Sequence, residues 1–229
     1  MKHSLNESTD LLYLKGIEGS YIKETEVSII GYENGGYIFD RTMMHYQGGG
    51  QPGDKGYLLS GEERIRIYNV VKKGRKVIHL SMDKSDLKKG KLTVNWERRY
   101  KIMKMHTLQH GLSSYFFNEG GMTMESEVFP GYGYVILDKE IKRIPDEAYE
   151  ISRRALPLKR YDLSRGDLDP DTLKRCNLEK LPKSINTISI VEIEGLDICA
   201  CAGTHLSNTK EIGEYWIRNT GKKIEFGLF

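Results

Sequence analysis

Two short segments of the chain combine metal-binding residue types at a spacing that suits chelation. His106 and His110 lie four residues apart, and so do Cys201 and His205. On a helix, positions i and i+4 project from the same face, so both imidazoles can reach one ion. The two pairs together supply three nitrogens and one sulfur, a set that tetrahedral zinc accepts. The sequence therefore predicts a divided zinc site.

The ligand set leaves the role of the zinc open. Four protein ligands are typical of structural zinc, whereas catalytic zinc keeps one position for water or substrate. In zincin peptidases a glutamate follows the first histidine and acts as the general base, but Thr107 stands there in this chain. Peptide hydrolysis by that mechanism is therefore not expected.

A glycine-rich segment precedes the histidine pair. Gly48, Gly49, Gly50 and Gln51 form its centre, and glycine allows a backbone to take positive φ and approach a ligand closely. The segment is neither a Walker loop nor a dinucleotide fingerprint. A phosphate or sugar cradle and a tight structural loop both remain open. The basic pair Lys222-Lys223 has the same ambiguity, since it can contact nucleic acid or form a solvated turn.

The composition of the chain restricts the class of protein only broadly. The chain has 229 residues, 38% of them hydrophobic, and a net charge of +3, which permits binding to a polyanion without indicating it. It has no apolar run that approaches a membrane span, and its first residues lack the apolar stretch of a secretory signal. Cys199 and Cys201 are too close together for an ordinary disulfide framework, which favours a reducing compartment. These features predict a cytoplasmic protein.

Hydrophobic patterning predicts an α+β fold in two parts. In the first ninety or so residues, alternating apolar positions and turns predict short strands, at 26–32, 36–40, 64–71 and 76–80. From Trp96 to about Phe117 apolar residues and both histidines recur at helical spacing. We therefore expect a β-rich, barrel-like N-terminal domain over residues 1–92 with the glycine-rich motif. An α+β zinc-binding domain should follow over 93–229.

Four further elements are expected in the second part. The patterns predict strand and turn over 128–137, a capped helix over 145–156, a long buried strand over 186–198, and a hairpin that closes around residues 219–221. The Cys201–His205 pair follows the long strand. The sheet and the histidine helix must therefore bring the two ligand pairs together.

Three motifs in order resemble those of a known family. Residues 48–56, the segment His106–His110, and Cys201–His205 followed by residues 211–213 are similar to the AlaX family of freestanding alanyl-tRNA editing proteins, of the medium-length type. These proteins in turn resemble the editing domain of alanyl-tRNA synthetase. The resemblance runs from about residue 25 to the C-terminus. One departure is Ala202, where the family commonly has glycine, and it matters if that backbone must take positive φ.

The resemblance implies a function and a set of site residues. It implies a zinc-dependent hydrolase that removes wrongly attached serine from tRNA for alanine, with glycine as a further candidate. On chemical grounds, zinc with an open coordination position could activate the attacking water, or zinc with all four ligands bound could anchor the substrate's amine or hydroxyl, and no protein base is identified. The implied zinc ligands are His106, His110, Cys201 and His205, and the implied tRNA contacts are Gly48, Gly49, Gly50, Gln51, Lys222 and Lys223. Thr123 and Ser126 are candidates for serine recognition, although both residue types are also common in turns.

Two alternative functions stay open. The chain could be an RNA-binding module that carries structural zinc and catalyses no reaction. It could also edit a different aminoacyl-tRNA, since the editing domain of threonyl-tRNA synthetase shares the two ligand pairs. The glycine motif ahead of the histidine helix favours the alanine system.

Overall fold

The computed structural model describes residues 8–169, 175 and 185–229. Residues 1–7, on which the absence of a secretory signal was argued, lie outside this range. The chain forms two compact units. The first comprises the described residues up to Gly48 together with Pro52–Tyr100, and the second comprises Gly49–Gln51 and Lys101–Phe229. The domain boundary at residue 92 stays a prediction.

The first unit is built on a seven-stranded sheet. Its strand order is β6-β5-β9-β2-β3-β8-β7, and a separate parallel pair joins β1 to β4. The strands are β1 (Asp10–Leu11), β2 (Glu24–Glu33), β3 (Gly36–Phe39), β4 (Arg41–Thr42), β5 (Gly56–Ser60), β6 (Glu63–Ile67), β7 (Asn69–Lys73), β8 (Lys76–Leu80) and β9 (Lys89–Val94). Two 3-10 turns cover Leu12–Leu14 and Glu18–Tyr21.

The seven-stranded sheet does not close into a barrel, so the barrel prediction is corrected. The first half of β2 pairs with β9 and its second half with β3, with an irregularity between Ile29 and Gly31. The edge strands β6 and β7 are separated only by Tyr68, and no ladder joins them in the described part of the chain. A single residue is too short for a hairpin turn, so these two strands cannot fold back to pair. The strand predicted over 64–71 is split at the same residue.

Alternating side chains supply the core of this unit, as the sequence pattern predicts. Ile65 and Ile67 on β6 are buried, and they pack in a cluster that includes Leu58 and Leu92 from the neighbouring strands. The solvent-side residues Arg64 and Arg66 are exposed. This alternation follows from the two-residue repeat of a strand with one buried face.

A fully buried ion pair anchors the start of the helix α1 (Trp96–Asn118). Arg99 and Asp54 have side chains that are 0% and 1% exposed. The Arg99 Nε lies 3.0 and 2.9 Å from the two carboxylate oxygens, and the same guanidinium donates to the carbonyls of Ser20 and Met43. One side chain thus ties the first turn of α1 to three other segments of the first unit.

The second unit contains the rest of α1 and two antiparallel sheets. One sheet has the order β10-β11-β16-β15 and the other has the order β12-β13-β14. The strands are β10 (Thr123–Phe129), β11 (Tyr132–Leu137), β12 (Leu158–Ser164), β13 (Thr187–Ile193), β14 (Asp197–Ala200), β15 (Tyr215–Asn219) and β16 (Lys223–Leu228). In the part of this unit that the structure describes, 3-10 turns cover Asp146–Tyr149, Arg165–Asp167 and Thr209–Ile212. The chain is therefore α+β and rich in β-structure.

The predicted histidine helix and closing hairpin are confirmed, but two other elements differ. The helix predicted over 145–156 is wrong beyond the 3-10 turn, because the hydroxyl of Tyr215 accepts from the Ile151 backbone N–H and donates to the Ala148 carbonyl. Ala155 then takes a φ of 50°, which ends any helical path. The long strand predicted over 186–198 is divided into β13 and β14 by a turn at Gly195, whose φ is 67°.

Cys199 is disulfide-bonded whereas Cys201 is not, so the argument that these cysteines favour a reducing compartment is not supported at Cys199. In the described part of the chain, no helix combines the length and the apolar character needed to span a bilayer.

Replacing Arg99 tests the anchoring ion pair. Arg99→Leu leaves the Asp54 carboxylate buried without its partner, and such a loss costs about 3–5 kcal/mol of unfolding free energy. Urea denaturation of the metal-free protein measures this cost. Arg143→Leu is the matched control, because Arg143 and its partner Asp146 are 75% and 79% exposed, and it should leave the urea midpoint almost unchanged. Equal midpoints for both variants would contradict the anchoring role.

The buried His79 generates a second prediction. Its Nδ1 lies 3.2 Å from the Tyr37 carbonyl oxygen and its Nε2 2.8 Å from the Thr42 hydroxyl. Burial lowers the pKa of His79 from 6.5 to about 4, although the Tyr37 carbonyl opposes the shift. As pH falls from 6.5 towards 4, His79 becomes protonated in the unfolded chain but stays neutral in the folded chain. The free energy of unfolding therefore decreases on acidification. The loss is about 3 kcal/mol.

His79→Asn removes this titration, and the variant should lose less stability than the parent between pH 6.5 and 4. Urea denaturation over that pH range measures both slopes. Identical slopes would show that His79 does not carry the effect.

Candidate metal centre

The two predicted ligand pairs converge in the second unit. His106 and His110 come from α1, and Cys201 and His205 come from the loop after β14. One ligand atom from each of the four residues lies within 4.8 Å of all the others. The Cys201 Sγ lies 3.7 Å from His106 Nε2 and 3.3 Å from His205 Nε2. Tetrahedral zinc with ordinary bond lengths separates its ligand atoms by about 3.3–3.8 Å, so this donor set fits a metal ion.

Each histidine has a polar partner at its other ring nitrogen. The Nδ1 atoms of His106, His110 and His205 lie 2.9 Å from Gln51 Oε1, 2.9 Å from Asp197 Oδ2 and 3.3 Å from Thr107 Oγ1, respectively. Such partners fix the ring orientation of metal-binding histidines and direct the remaining nitrogen to the ion. The sequence motifs do not predict these three contacts, because Gln51 is expected to contact tRNA, Asp197 lies outside the motifs, and Thr107 lies between two ligands without a known role.

The electrostatic surroundings favour the metal-binding form of Cys201, whereas His110 must release a proton before its imidazole can bind a metal ion. Burial raises the pKa of the Cys201 thiol, but attraction to the three histidines outweighs burial and holds it well below its usual value. The Gly203 N–H also donates to the Cys201 sulfur at 3.3 Å. Burial lowers the pKa of His110, but Cys201 and Asp197 together raise it to about 9. The thiolate, rather than the thiol, binds metal ions.

Asp197 connects the centre to a second charged residue. Its carboxylate accepts from His110 and from the guanidinium of Arg175, whose Nε lies 2.7 Å from Oδ1. Burial raises the pKa of Asp197, yet Arg175 and His110 hold it below the ordinary value, so the carboxylate stays ionised. Asp197, the first residue of β14, thus accepts a hydrogen bond from His110 on α1.

Arg160 on β12 holds the loop that carries the second ligand pair. Its guanidinium donates to the carbonyls of Cys201 and Gly203, and to the Ser189 hydroxyl on β13. Ala202 lies between these carbonyls and is exposed. The φ of Ala202 is not positive. Alanine therefore replaces the family's usual glycine there without backbone strain.

The glycine-rich segment reaches the centre through Gln51. Gln51 is 1% exposed, and its expected contact with tRNA stays a prediction. Gly50 lies against β10, where the Val128 N–H donates to its carbonyl at 2.9 Å. A Cβ at Gly50 would collide with the Ser126 carbonyl, whereas one at Gly49 would meet nothing within 4 Å. Gly48 belongs to the first unit.

The remaining predicted residues lie in two places. The half-buried Thr123 donates to the Ser113 hydroxyl at 3.1 Å, which also accepts from Gln109 at 2.8 Å. Gln109 and Ser113 lie on the same helical face as His106 and His110. Lys222 is exposed and donates to the Asp138 carbonyl, while Lys223 pairs with Glu225 at 3.2 Å. The structure thus brings Ser126 to the glycine segment and Thr123 to the histidine helix.

Comparisons with known proteins agree with this arrangement. A family model described as the second additional domain of threonyl and alanyl tRNA synthetases matches residues 188–225. The alanine–tRNA ligase of Ignicoccus hospitalis is 33% identical over 92% of this chain, and that of Staphylothermus marinus is 31% identical over 92%. The chain spans only 24% of each of these two ligases. The chain therefore corresponds to about a quarter of each alanine–tRNA ligase.

A second relative matches from end to end. The alanyl-tRNA editing protein AlaX-M of Saccharolobus solfataricus is 33% identical over 231 residues, which cover 93% of this chain and 95% of that protein. The chain belongs to the AlaX family of alanyl-tRNA editing proteins.

Loss of single ligands tests the metal centre. Loss of an outer hydrogen-bond partner weakens metal binding by about 10–100-fold. Cys201→Ala and His110→Ala remove ligands themselves, so each should weaken zinc binding by more than that. Metal analysis after dialysis, combined with competition against a chelating dye, measures the affinity. Ala202→Gly is the matched control, since that residue is exposed and has an ordinary φ. Parental zinc affinity in both ligand variants would show that the ligand set is wrong.

Proposed function

We propose that this protein is a zinc-dependent hydrolase that deacylates seryl-tRNA for alanine, with glycyl-tRNA for alanine as a second substrate. The observation that carries the proposal is the cluster of His106, His110, Cys201 and His205 in a member of an alanyl-tRNA editing family. Three nitrogens and one thiolate suit zinc among the common metal ions. We place this activity in the cytoplasm, where aminoacyl-tRNA would be available.

The bond to be broken is the ester between the amino acid and the terminal adenosine of tRNA. Zinc with an open coordination position would polarise the ester and activate a water, whereas zinc that keeps all four protein ligands would anchor the substrate's amine or hydroxyl. The chain's own contribution is orientation: Gln51, Asp197 and Thr107 hold the imidazole rings by their outer nitrogens. No protein base is assigned.

Serine recognition requires a polar group that alanine leaves unpaired. A hydrophobic pocket discriminates poorly between residues that differ by one hydroxyl, but a site built to hydrogen-bond that hydroxyl disfavours the analogue that lacks it. We propose Thr123 as the first candidate for this group and Ser126 as the second. Thr123 is supported by its hydrogen bond to Ser113, on the histidine face of α1.

Contacts to tRNA are proposed at the glycine segment and at the start of β16. Gly48, Gly49 and Gly50 offer a backbone that can approach the acceptor end, and the exposed Lys222 offers a charge for phosphate. Lys223 is a weaker candidate because Glu225 already pairs with it. Binding that uses phosphate contacts should weaken as the salt concentration rises.

A deacylation assay tests the proposal. The protein should hydrolyse seryl-tRNA for alanine faster than correctly charged alanyl-tRNA, by up to about 10⁴-fold as in related recognition problems, and a chelator should abolish the reaction. Zinc and tRNA binding without turnover would support an RNA-binding module with structural zinc. Faster hydrolysis of seryl-tRNA for threonine would support the threonyl system.

Thr123→Val tests the recognition residue. The substitution keeps the shape of Thr123 and removes its hydroxyl, so it should reduce the preference for serine over alanine while zinc content stays at the parental level. The ratio of kcat/KM for the two charged tRNAs measures the preference. Loss of preference in Ser126→Ala but not in Thr123→Val would move the role to Ser126.

A further inference from the structure

Gln51 is a buried polar side chain whose hydrogen bonds all lead to the two ligand pairs. Its Oε1 lies 2.9 Å from His106 Nδ1 and accepts from the Thr204 N–H at 2.9 Å, and its Nε2 donates to the Thr204 hydroxyl at 2.9 Å. Burying an amide is costly unless its hydrogen bonds are made. His106 and Thr204 therefore satisfy both polar atoms of the buried Gln51 amide.

These contacts fix the protonation of His106. A backbone N–H can only donate, so the Gln51 atom that faces Thr204 N must be the carbonyl oxygen. The same oxygen faces His106 Nδ1, which must then carry the proton. A neutral imidazole with a proton on Nδ1 has its lone pair on Nε2, and this atom lies beside the Cys201 sulfur.

Two glycines make this arrangement possible. A Cβ at Gly203 would collide with the His106 ring and lie 2.7 Å from Gln51 Oε1, so only glycine allows the ligand loop, the ring and the amide to meet. A Cβ at Gly50 would collide with the Ser126 carbonyl, and Gly50 has a φ of 77°. Gly50 can therefore lie against β10 and carry Gln51 into the centre.

We infer that Gln51 is a positioning residue for the metal ion, which it serves by holding His106 in the Nδ1-protonated form and by joining the helix pair to the loop pair. This inference rests on the proposed metal site. It gives the glycine-rich segment a role in metal retention in addition to the proposed contact with tRNA.

Zinc affinity is the direct readout, because it does not depend on activity. Gln51→Leu removes both hydrogen-bonding groups at similar size and should weaken zinc binding by about 10–100-fold, the usual cost of losing an outer partner. Gln51→Glu keeps an acceptor for both His106 and Thr204 N, and it should bind zinc at least tenfold more tightly than Gln51→Leu. Gln47→Leu is the control, since Gln47 is exposed and its side chain has one described hydrogen bond, to Asn69.

Circular dichroism of the metal-free variants shows whether each one folds. Should Gln51→Leu fail to fold, ¹⁵N spectra of the imidazoles in the zinc-loaded parent decide, with a proton on Nδ1 of His106 expected. Parental zinc affinity in Gln51→Leu, or a proton on Nε2 of His106, would overturn the inference. If the parent itself binds no zinc, the proposed function is wrong. That result differs from parental zinc affinity in Gln51→Leu, which contradicts only the role of Gln51.

Discussion

The metal centre depends on hydrogen bonds to the outer nitrogens of its histidines. An imidazole can present a lone pair at Nε2 only if its proton sits on Nδ1, and a buried proton needs an acceptor. In two of the three pairs the partner atom can only accept, because Asp197 is a carboxylate and the Gln51 oxygen is fixed by Thr204 N. The acceptors come from different segments, so the fold must bring a loop and a strand to one helix before the ligands can act together.

Helix α1 carries the two histidines that Gln51 and Asp197 contact. Its first turn carries Arg99, which is buried against Asp54 in the first unit, and two turns later the same helix presents His106. A buried guanidinium with several acceptors is costly to displace, so the first turn of α1 is held firmly within the first unit. Rotation by one residue would swing the His106–His110 face by about 100° and separate it from Gln51 and Asp197.

The sequence predicts the ligands and the helix better than it predicts their support. His106 and His110 share a local spacing, and an uninterrupted apolar repeat predicts their helix almost to its ends. Gln51 and Asp197 have no such signal, because each meets its histidine only through tertiary structure, over separations of 55 and 87 residues. The helix expected after Pro145 fails for the same reason, since the Tyr215 hydroxyl takes up backbone groups that a helix would need.

Charge balance around the centre bears on the reaction that it can support. With a divalent ion bound, one thiolate and three neutral imidazoles leave a single net positive charge among the ion and its ligands. Asp197 does not cancel this charge, because its own negative charge is matched by Arg175. Positive charge held in a largely buried site stabilises negative charge that develops on a carbonyl oxygen. A centre with two thiolates would be neutral and would lack this advantage. Of the four residues, Cys201 alone is partly exposed, so the sulfur side is the more accessible side of this charge.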